Sequence, residues 1–301
     1  MRKEYKEYKD IIGDGGSNIV GQVTQQIERL RSRMEKVKHK VAVISGKGGV
    51  GKSAVTVNLA SAFSMQEYTV GVLDADINGP SIAKMMGVQG QHLKIGENGV
   101  SPAVGPLNIK VMSMDLLLPS DETPVVWDAP SQEAAFIWRG TMEVSTLREF
   151  LSDTEWGELN SLFIDLPAGV EKLPNVAQLL PNLDGVVLVT IPTEVSHFVV
   201  KKSAVTAKAL GIPVVGLIEN MVGYICLNCG QVGDLFKTIY DGKKMADQMG
   251  IPYLGRIPFD PRISISSDKG VPFVLEYSDS SAGKTFIEIS AKINGFLGRN
   301  K

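Results

Sequence analysis

Short apolar runs alternate with segments of helical periodicity along most of this chain of 301 residues. Nearly continuous apolar runs are typical of strands that helices cover on both faces. Such runs predict strands at 41–45, 69–74, 109–114, 161–165, 186–191, 214–219 and 253–257. Three- and four-residue spacing of apolar positions predicts helices at 52–66, 143–152, 195–209, 243–249 and 281–297. The alternation predicts right-handed βαβ units and therefore an α/β fold with a doubly wound, mostly parallel sheet flanked by helices.

The first part of the chain departs from this pattern. Residues 1 to about 20 are polar and contain several glycines, which predicts a poorly ordered lead-in. Residues 24–40 show helical spacing and end in a basic cluster, which we interpret as a solvated helix face rather than a partner-binding patch. The glycine-rich segment 87–108 predicts loops or a short hairpin. We therefore divide the chain into a lead-in and helix, 1–39, and one α/β domain, 40–301.

Composition and charge argue against several classes of protein. Hydrophobic residues make up 44% of the chain, which is typical of a globular protein with a full core. The net charge of −2 does not favour a protein that coats nucleic acid. No apolar run approaches the ~18 residues of a membrane-spanning helix, and the charged N-terminus has no apolar signal region. We therefore expect a cytoplasmic protein without nucleic-acid or membrane partners.

A glycine-rich segment lies between the first predicted strand and the helix that follows it. It contains the pattern G-x-x-x-x-G-K-[ST] and reads Ser45-Gly46-Lys47-Gly48-Gly49-Val50-Gly51-Lys52-Ser53. Glycines let backbone N–H groups approach phosphates closely at a helix N-terminus. In this pattern Lys52 neutralises the β- and γ-phosphate oxygens and the Ser53 hydroxyl binds Mg²⁺. The pattern therefore predicts a site for Mg²⁺ and a nucleoside triphosphate, in preference to a glycine turn without a ligand.

Polar residues follow several other predicted strands. Asp74 and Asp76 end one strand, where either could position Mg²⁺ or the attacking water, although Asp74 could instead cap the following helix. Asp165 ends another strand and could hold Mg²⁺ through water or be a turn residue without a ligand; the phosphate loop favours the first role. Asn220 and the run Gly255-Arg256-Ile257-Pro258-Phe259-Asp260 follow late strands and could form a base-binding wall or be ordinary loop residues.

The chain contains only two cysteines, Cys226 and Cys229, at C-x-x-C spacing. Two thiolates in one turn can chelate a soft metal, but a structural zinc site or a cuboidal iron–sulfur cluster takes four ligands. The three histidines are scattered and suggest no metal site. Either two copies of the chain share one metal site across a two-fold axis, or the pair is a redox dithiol or two inert thiols.

In this order, the segments resemble the Mrp family of ATP-binding iron–sulfur cluster carrier proteins. This family belongs to the deviant Walker A group of P-loop NTPases, with MinD, ParA and the nitrogenase iron protein. The resemblance runs from about residue 40 to about residue 292 and includes Lys47, the signature lysine of the group. The matching segments are 46–53, Asp74-Ala75-Asp76-Ile77-Asn78-Gly79-Pro80-Ser81, Ile137-Trp138-Arg139-Gly140, Asp165-Leu166-Pro167, Asn220-Met221 and Cys226-Leu227-Asn228-Cys229-Gly230.

The resemblance implies a homodimeric ATPase with the fold predicted above. Lys47 would reach phosphates across the dimer interface, Lys52 would act within its own loop and Asp76 would orient the attacking water. Asp165 would lie behind Mg²⁺, and Asn220 would contact adenine. Together with the strand-end run, the expected nucleotide-binding residues are Gly46, Lys47, Gly48, Gly49, Val50, Gly51, Lys52, Ser53, Asp76, Asp165, Asn220 and Pro258.

The resemblance also implies that Cys226 and Cys229 of both subunits hold a [4Fe–4S] cluster for delivery to apo-proteins. Structural zinc at the same cysteines is an alternative. A MinD- or ParA-like positioning or partition ATPase is another, because an amphipathic final helix at 286–301 could bind a membrane. We interpret this helix as packed on the domain.

The segment after Asp165 departs from the family pattern. Relatives usually continue after Asp-[Leu/Met]-Pro with Pro-Gly-Thr-Gly-Asp, whereas this chain reads Ala168-Gly169-Val170-Glu171-Lys172. A hydroxyl and a carboxylate are therefore missing where the γ-phosphate would be sensed. This departure predicts slow hydrolysis, unless Glu171 replaces the missing acid.

Overall fold

The computed structural model describes residues 19–120, 123, 125, 132–180, 182–226, 228–229, 231–233 and 241–299. The lead-in predicted at residues 1 to about 20 lies almost entirely outside the described residues and stays a prediction. The strands are β1 Val37–Ser45, β2 Val70–Asp74, β3 Lys94–Gly96, β4 Gly99–Ser101, β5 Ala103–Val104, β6 Lys110–Met112, β7 Leu159–Asp165, β8 Gly185–Thr190, β9 Val214–Glu219, β10 Tyr224–Ile225, β11 Val232–Gly233 and β12 Tyr253–Arg256.

Helices connect most of these strands. They are α1 Ile19–Glu35, α2 Lys52–Ser64, α3 Ile82–Met85, α4 Gln132–Asp153, α5 Lys172–Leu179, α6 Glu194–Ala209, α7 Gly242–Met249, α8 Pro261–Lys269, α9 Phe273–Glu276 and α10 Ser281–Leu297. Short 3₁₀ turns lie at Pro106–Asn108 and Met114–Leu117.

One eight-stranded sheet forms the centre of the protein, in the order β12-β9-β8-β1-β7-β2-β6-β5. Every pairing in it is parallel except that of β5 with β6. The predicted doubly wound, mostly parallel sheet is therefore confirmed. The carboxyl ends of β1, β7 and β2 lie side by side, because β7 pairs with both of the others. This order brings the phosphate loop and two acidic strand ends to one edge.

Alternate residues of β1 enter two different cores, one on each face of the sheet. Val41 and Val43 pack in a core that includes residues of α2 and α10. Ala42 and Ile44 pack in a second core, with residues of α4, α5 and α6. Burial on both faces explains why the strands read as continuous apolar runs.

The final helix packs on the helix that follows the phosphate loop. Phe286, Ile289 and Ile293 of α10 are buried in the core that α2 shares, and the Gln66 amide donates to Ser290 Oγ at 2.7 Å. The apolar face of α10 is therefore covered, as the packed-helix interpretation predicted.

Two predicted helix bounds are wrong. The helix predicted at 24–40 ends at Glu35, and β1 begins at Val37. Val37 is buried and pairs with Leu159, and the Lys40 ammonium donates to the Val37 carbonyl, so strand pairing prevails over the helical spacing. The boundary that we drew after residue 39 therefore falls inside β1. The helix predicted at 143–152 extends over all of α4.

Loops and short helices account for the other differences. The segment 87–108 contains the β3–β4 hairpin, as expected. Helices α5 and α8 were not predicted. Helix α5 has Pro174 in its first turn, which a helix tolerates there but which reads as a break in a sequence. In α8, serines dilute the helical signal, although Asp260 caps its first turn and Pro261 begins it.

Candidate nucleotide site and cysteine hairpin

The phosphate loop, residues 46–51, joins β1 to α2 in a backbone shape that requires glycine. Gly49 and Gly51 have φ values of 78° and 76°, in the left-handed region that side chains other than glycine rarely adopt. A Cβ on Gly51 would lie 2.5 Å from the amide nitrogen of Asn220, and one on Gly46 would lie 2.6 Å from Val199 Cγ1. A Cβ on Gly48 would have no heavy atom within 4 Å, so this side of the loop is open.

Helix α2 begins without a side-chain cap, because its N-cap residue is Gly51. The first N–H groups of a helix lack partners within the helix, and they favour negative charge. The open loop and the first turn of α2 therefore form an arrangement suited to phosphate oxygens. The loop lysine Lys47 is half-buried, and its carbonyl accepts a hydrogen bond from the Ser45 hydroxyl.

Asp165, fully buried at the end of β7, gathers three side chains from the start of α2. Its Oδ2 lies 2.6 Å from Lys52 Nζ and accepts from the Ser53 hydroxyl at 2.7 Å. Its Oδ1 accepts from the Thr56 hydroxyl at 2.6 Å. The structure thus brings Lys52, Ser53 and Asp165 together, and it adds Thr56, which the sequence analysis missed. Ser53 and Asp165 supply adjacent oxygen donors, which are the ligands that Mg²⁺ prefers.

Asp74 is a structural cap. Its Oδ2 accepts from the N–H groups of Ser81 and Ile82 and from the Ser113 hydroxyl, and its Oδ1 accepts from the N–H of Asp76. Burial, together with the nearby charge of Asp165, raises the pKa of Asp74 to about 7. The capping alternative is therefore the one that the contacts of Asp74 support.

Asp76 has a different environment, half-buried in the loop after β2. Its Oδ1 accepts from the N–H of Gly79 at 3.2 Å. Burial raises the pKa of Asp76, while the positive charge of Lys52 acts to lower it. Because this charge acts on it, Asp76 lies in the electrostatic reach of the phosphate loop.

Backbone hydrogen bonds tie the acidic loops to each other and to the phosphate loop. The N–H of Ala75 donates to the Asp165 carbonyl at 2.9 Å, and the N–H of Gly169 donates to the Ser45 carbonyl at 3.1 Å. The Glu171 carboxylate folds over Gly169, where an added Cβ would meet its Oε1 at 2.5 Å. Within the segment 168–172, the Glu171 carboxylate thus lies beside Gly169.

Asn220 holds the phosphate loop from the other side. Its side-chain amide donates to the Val50 carbonyl at 2.9 Å, and its backbone N–H donates to the Thr190 carbonyl at 2.7 Å. Pro258 is buried directly after Ile257, whose N–H donates to the Glu219 carbonyl at 2.8 Å. The adenine contacts expected of Asn220 and Pro258 stay predictions.

The cysteines lie in the turn of the small β10–β11 hairpin. Tyr224 pairs with Gly233, and the N–H of Cys226 donates to the Gln231 carbonyl at 2.9 Å. Cys226 is half-buried and Cys229 is exposed. Hydrogen bonds from the backbone N–H groups of Cys229 and then Asn228 lower the pKa of the Cys226 thiol, so the turn favours a thiolate.

Within the described part of the chain, no group of three or more His, Cys, Asp and Glu side chains is placed to hold a metal ion. Among the residues that the structure describes, the hairpin therefore brings two sulfur donors and no third protein ligand of these types. Two sulfur donors fit half of a Cys₄ site. Among the described residues, no helix has the length and apolar character needed to cross a membrane.

A short segment connects the phosphate loop to the cysteine hairpin. After Asn220, Met221 has a φ of 56°, and the N–H of Val222 donates to the Ile257 carbonyl at 2.9 Å. The N–H of Phe259 then donates to the Gly223 carbonyl at 3.0 Å. The side chain that holds Val50 is thus followed, six residues later, by Cys226.

Comparison with solved structures agrees with this architecture. A nucleotide-binding protein from Archaeoglobus fulgidus, in complex with ADP, is similar with a TM-score of 0.69 and 33% identity. The match covers 82% of this chain and 92% of that one. The cell division ATPase MinD of Pyrococcus furiosus is similar with a TM-score of 0.62 at 22% identity, over 86% of this chain and 99% of that one. The second likeness shows the fold alone.

Comparison of sequences identifies the family. The model of the ParA family, NUBPL iron-transfer P-loop NTPases, matches residues 36–136 and 129–294. An iron–sulfur cluster carrier protein of Methanocaldococcus jannaschii is 45% identical over 272 residues, and one of Saccharolobus solfataricus is 43% identical over 276. Each match covers 90% of this chain and 89% of the relative. The chain therefore belongs to the ParA family of NUBPL iron-transfer P-loop NTPases.

Proposed function

We propose that this protein is an ATP-dependent carrier that binds an iron–sulfur cluster and transfers it to apo-proteins. One observation carries the proposal: the segment that holds the phosphate loop through Asn220 continues directly into the turn with Cys226 and Cys229. One short segment of chain therefore joins the candidate nucleotide site to the pair of sulfur donors. The relatives named as iron–sulfur cluster carrier proteins support the same function.

ATP would bind on the open side of residues 46–51 and at the first turn of α2. Ser53 and Asp165 would hold Mg²⁺, which neutralises phosphate charge when bound. Lys52 would exchange its 2.6 Å contact with Asp165 for the phosphates. Asp76 would orient the attacking water, and Lys47 would act across the interface between two subunits. We expect slow hydrolysis, because Val170 and Glu171 differ from the residues usual in the family.

The unit that holds the cluster would be a homodimer. Each chain brings two sulfur donors, so two chains related by a two-fold axis complete a four-cysteine set for a [4Fe–4S] cluster. The exposed position of Cys229 suits a cargo that must leave for apo iron–sulfur client proteins. A dimer with structural zinc at the same cysteines would use the same four sulfurs. A cytoplasmic location stays a prediction.

Anaerobic reconstitution with iron and sulfide tests this proposal. The wild-type protein should form a dimer with about two irons per subunit and the visible absorption of a [4Fe–4S] cluster. The double variant Cys226→Ser/Cys229→Ser should bind no cluster but should bind ATP like the wild type, because the phosphate loop is unchanged. A strictly monomeric protein without iron after reconstitution would refute the proposal. One zinc per dimer in place of iron would favour the structural-zinc alternative.

A further inference from the structure

Glu143, at the middle of α4, contacts both acidic loops of the candidate nucleotide site. Its Oε1 accepts from the side-chain amide of Asn78 at 2.5 Å, and its Oε2 lies 3.0 Å from Lys172 Nζ. Asn78 belongs to the loop that carries Asp76, and Lys172 begins α5 after the segment 166–171. Each carboxylate oxygen therefore serves a different loop.

The helix that carries Glu143 is a firm support. One turn further on, Leu147 is buried in the second core, as are Phe150 and Leu151. The indole N–H of Trp156 donates to the Phe150 carbonyl at 3.3 Å, which fixes the end of the helix. Glu143 itself is mostly buried, with 16% of its side chain exposed. Contacts to a partly buried carboxylate on a packed helix are better defined than contacts between mobile surface side chains.

The partner of Glu143 is one of the residues at which this chain departs from the family pattern. The family resemblance implies an aspartate at the position where this chain has Lys172. An aspartate at this position would be repelled by Glu143, whereas the lysine forms an ion pair with it. The positive charge of Lys172 is thus matched by the negative charge of Glu143 in α4.

We propose that Glu143 is a positioning residue that holds the Asp76 loop and the segment 166–172 in one arrangement during ATP hydrolysis. The inference rests on the proposed ATPase function, because both loops would face the γ-phosphate. Asp76 lies two residues before Asn78, and its carboxylate accepts from the N–H of Gly79. Holding Asn78 therefore limits how far the Asp76 carboxylate can move.

Loss of the Glu143 carboxylate should affect turnover more than nucleotide binding. The phosphates would be held by residues 46–53, which Glu143 does not touch. We expect Glu143→Ala to lower kcat by about 10- to 100-fold, the range for misplacement of a catalytic group by about 1 Å, with KM for ATP changed less than about threefold. Glu149→Ala is the matched control, because Glu149 lies on the same helix but is exposed.

Exchange of the two charges separates positioning from general stability. Glu143→Lys and Lys172→Glu should each lower kcat, since each places like charges together. The double variant Glu143→Lys/Lys172→Glu should recover most of the loss, because the new lysine can donate to both the new carboxylate and the Asn78 amide oxygen. Equal kcat values for the wild type, Glu143→Ala and both single variants would overturn the inference, as would failure of the exchange to rescue.

Hydrogen–deuterium exchange gives a second measurement that does not depend on turnover. In the nucleotide-free protein, Glu143→Ala should speed hydrogen exchange of the amides of residues 76–79 without changing that of β1. The double variant Glu143→Lys/Lys172→Glu should protect these amides as the wild type does. Unchanged protection in Glu143→Ala would also overturn the inference. If instead the wild type neither binds nor hydrolyses ATP, the proposed function fails. The hydrogen–deuterium exchange measurement still tests whether Glu143 holds the loops.

Discussion

The hydroxyl of Thr56 should stabilise the nucleotide-free protein by a measurable amount. Thr56 and Asp165 are both fully buried, and the hydroxyl donates to Asp165 Oδ1 at 2.6 Å. Among the described residues, no other donor reaches this oxygen. Thr56→Val replaces the hydroxyl with a methyl group of similar shape and leaves one oxygen of a buried carboxylate without a donor. Because hydrogen bonds to charged groups contribute about 1.5–3 kcal/mol, we expect the free energy of unfolding to fall by this amount.

Thr285→Val is a matched control for this substitution. Both threonines lie in helices, and each hydroxyl oxygen lies near the carbonyl oxygen four residues earlier, Thr56 at 3.0 Å from Lys52 and Thr285 at 2.9 Å from Ser281. Only Thr56 also reaches a carboxylate. Thr56 is fully buried and Thr285 half-buried, so the difference between the two variants combines the contact with Asp165 and the burial of the new methyl group; we expect it to be about 1–2 kcal/mol.

Urea unfolding without nucleotide, followed by both fluorescence and circular dichroism, measures these free energies. The two probes must give coincident transitions before a single free energy is assigned. If the two valine variants lose stability equally, within about 0.5 kcal/mol, the contact between Thr56 and Asp165 contributes nothing, and the account of how Asp165 is held is wrong.

Three further predictions concern the phosphate loop and its neighbours. Gly51→Ala should lower the free energy of unfolding by about 1–3 kcal/mol, because φ is 76° and the new Cβ would meet the Asn220 amide; Gly48→Ala should not, and equal losses in urea unfolding would contradict this. Folding raises the pKa of Asp74 from its ordinary 3.8 to about 7, so the folded state binds the Asp74 proton more tightly than the unfolded state does. The free energy of unfolding that this proton contributes should therefore decline as pH rises from about 4 to 7. Asp74→Asn should flatten that slope in urea unfolding, and an unchanged slope would count against burial as the cause. Asn220→Ala should keep the cysteines able to bind a cluster but reduce the effect of ATP on the rate of cluster transfer, and an undiminished effect would show that coupling takes another route.

Local sequence patterns predicted the parallel strands and the phosphate loop of this protein. Buried parallel strands read as apolar runs, and the glycines of the phosphate loop follow from backbone geometry, so both were visible without partners. The contact between Thr56 and Asp165 joins residues 109 positions apart, and it exists because β7 is inserted next to β1 in the sheet. No local pattern encodes that neighbourhood.

The contacts of Glu143 with Asn78 and Lys172 could not be predicted from the sequence, for a related reason. Asn78 lies 65 positions away, and Glu143 stood at the first residue of a helix whose beginning was predicted eleven residues too late. That Lys172 and its neighbours depart from the family pattern stays a prediction. The ion pair of Lys172 with Glu143 could be learned only from the packing of α4 against the start of α5.

The packing of α10 on α2 has a consequence for how the protein is made. The ribosome adds residues in order, so the helix that begins the phosphate site emerges long before residues 281–297, which cover its apolar side. Until those residues appear, the core that contains Val55 and Leu59 of α2 lacks the side chains of α10. The core around α2 is therefore completed only after residues 281–297 have been synthesised.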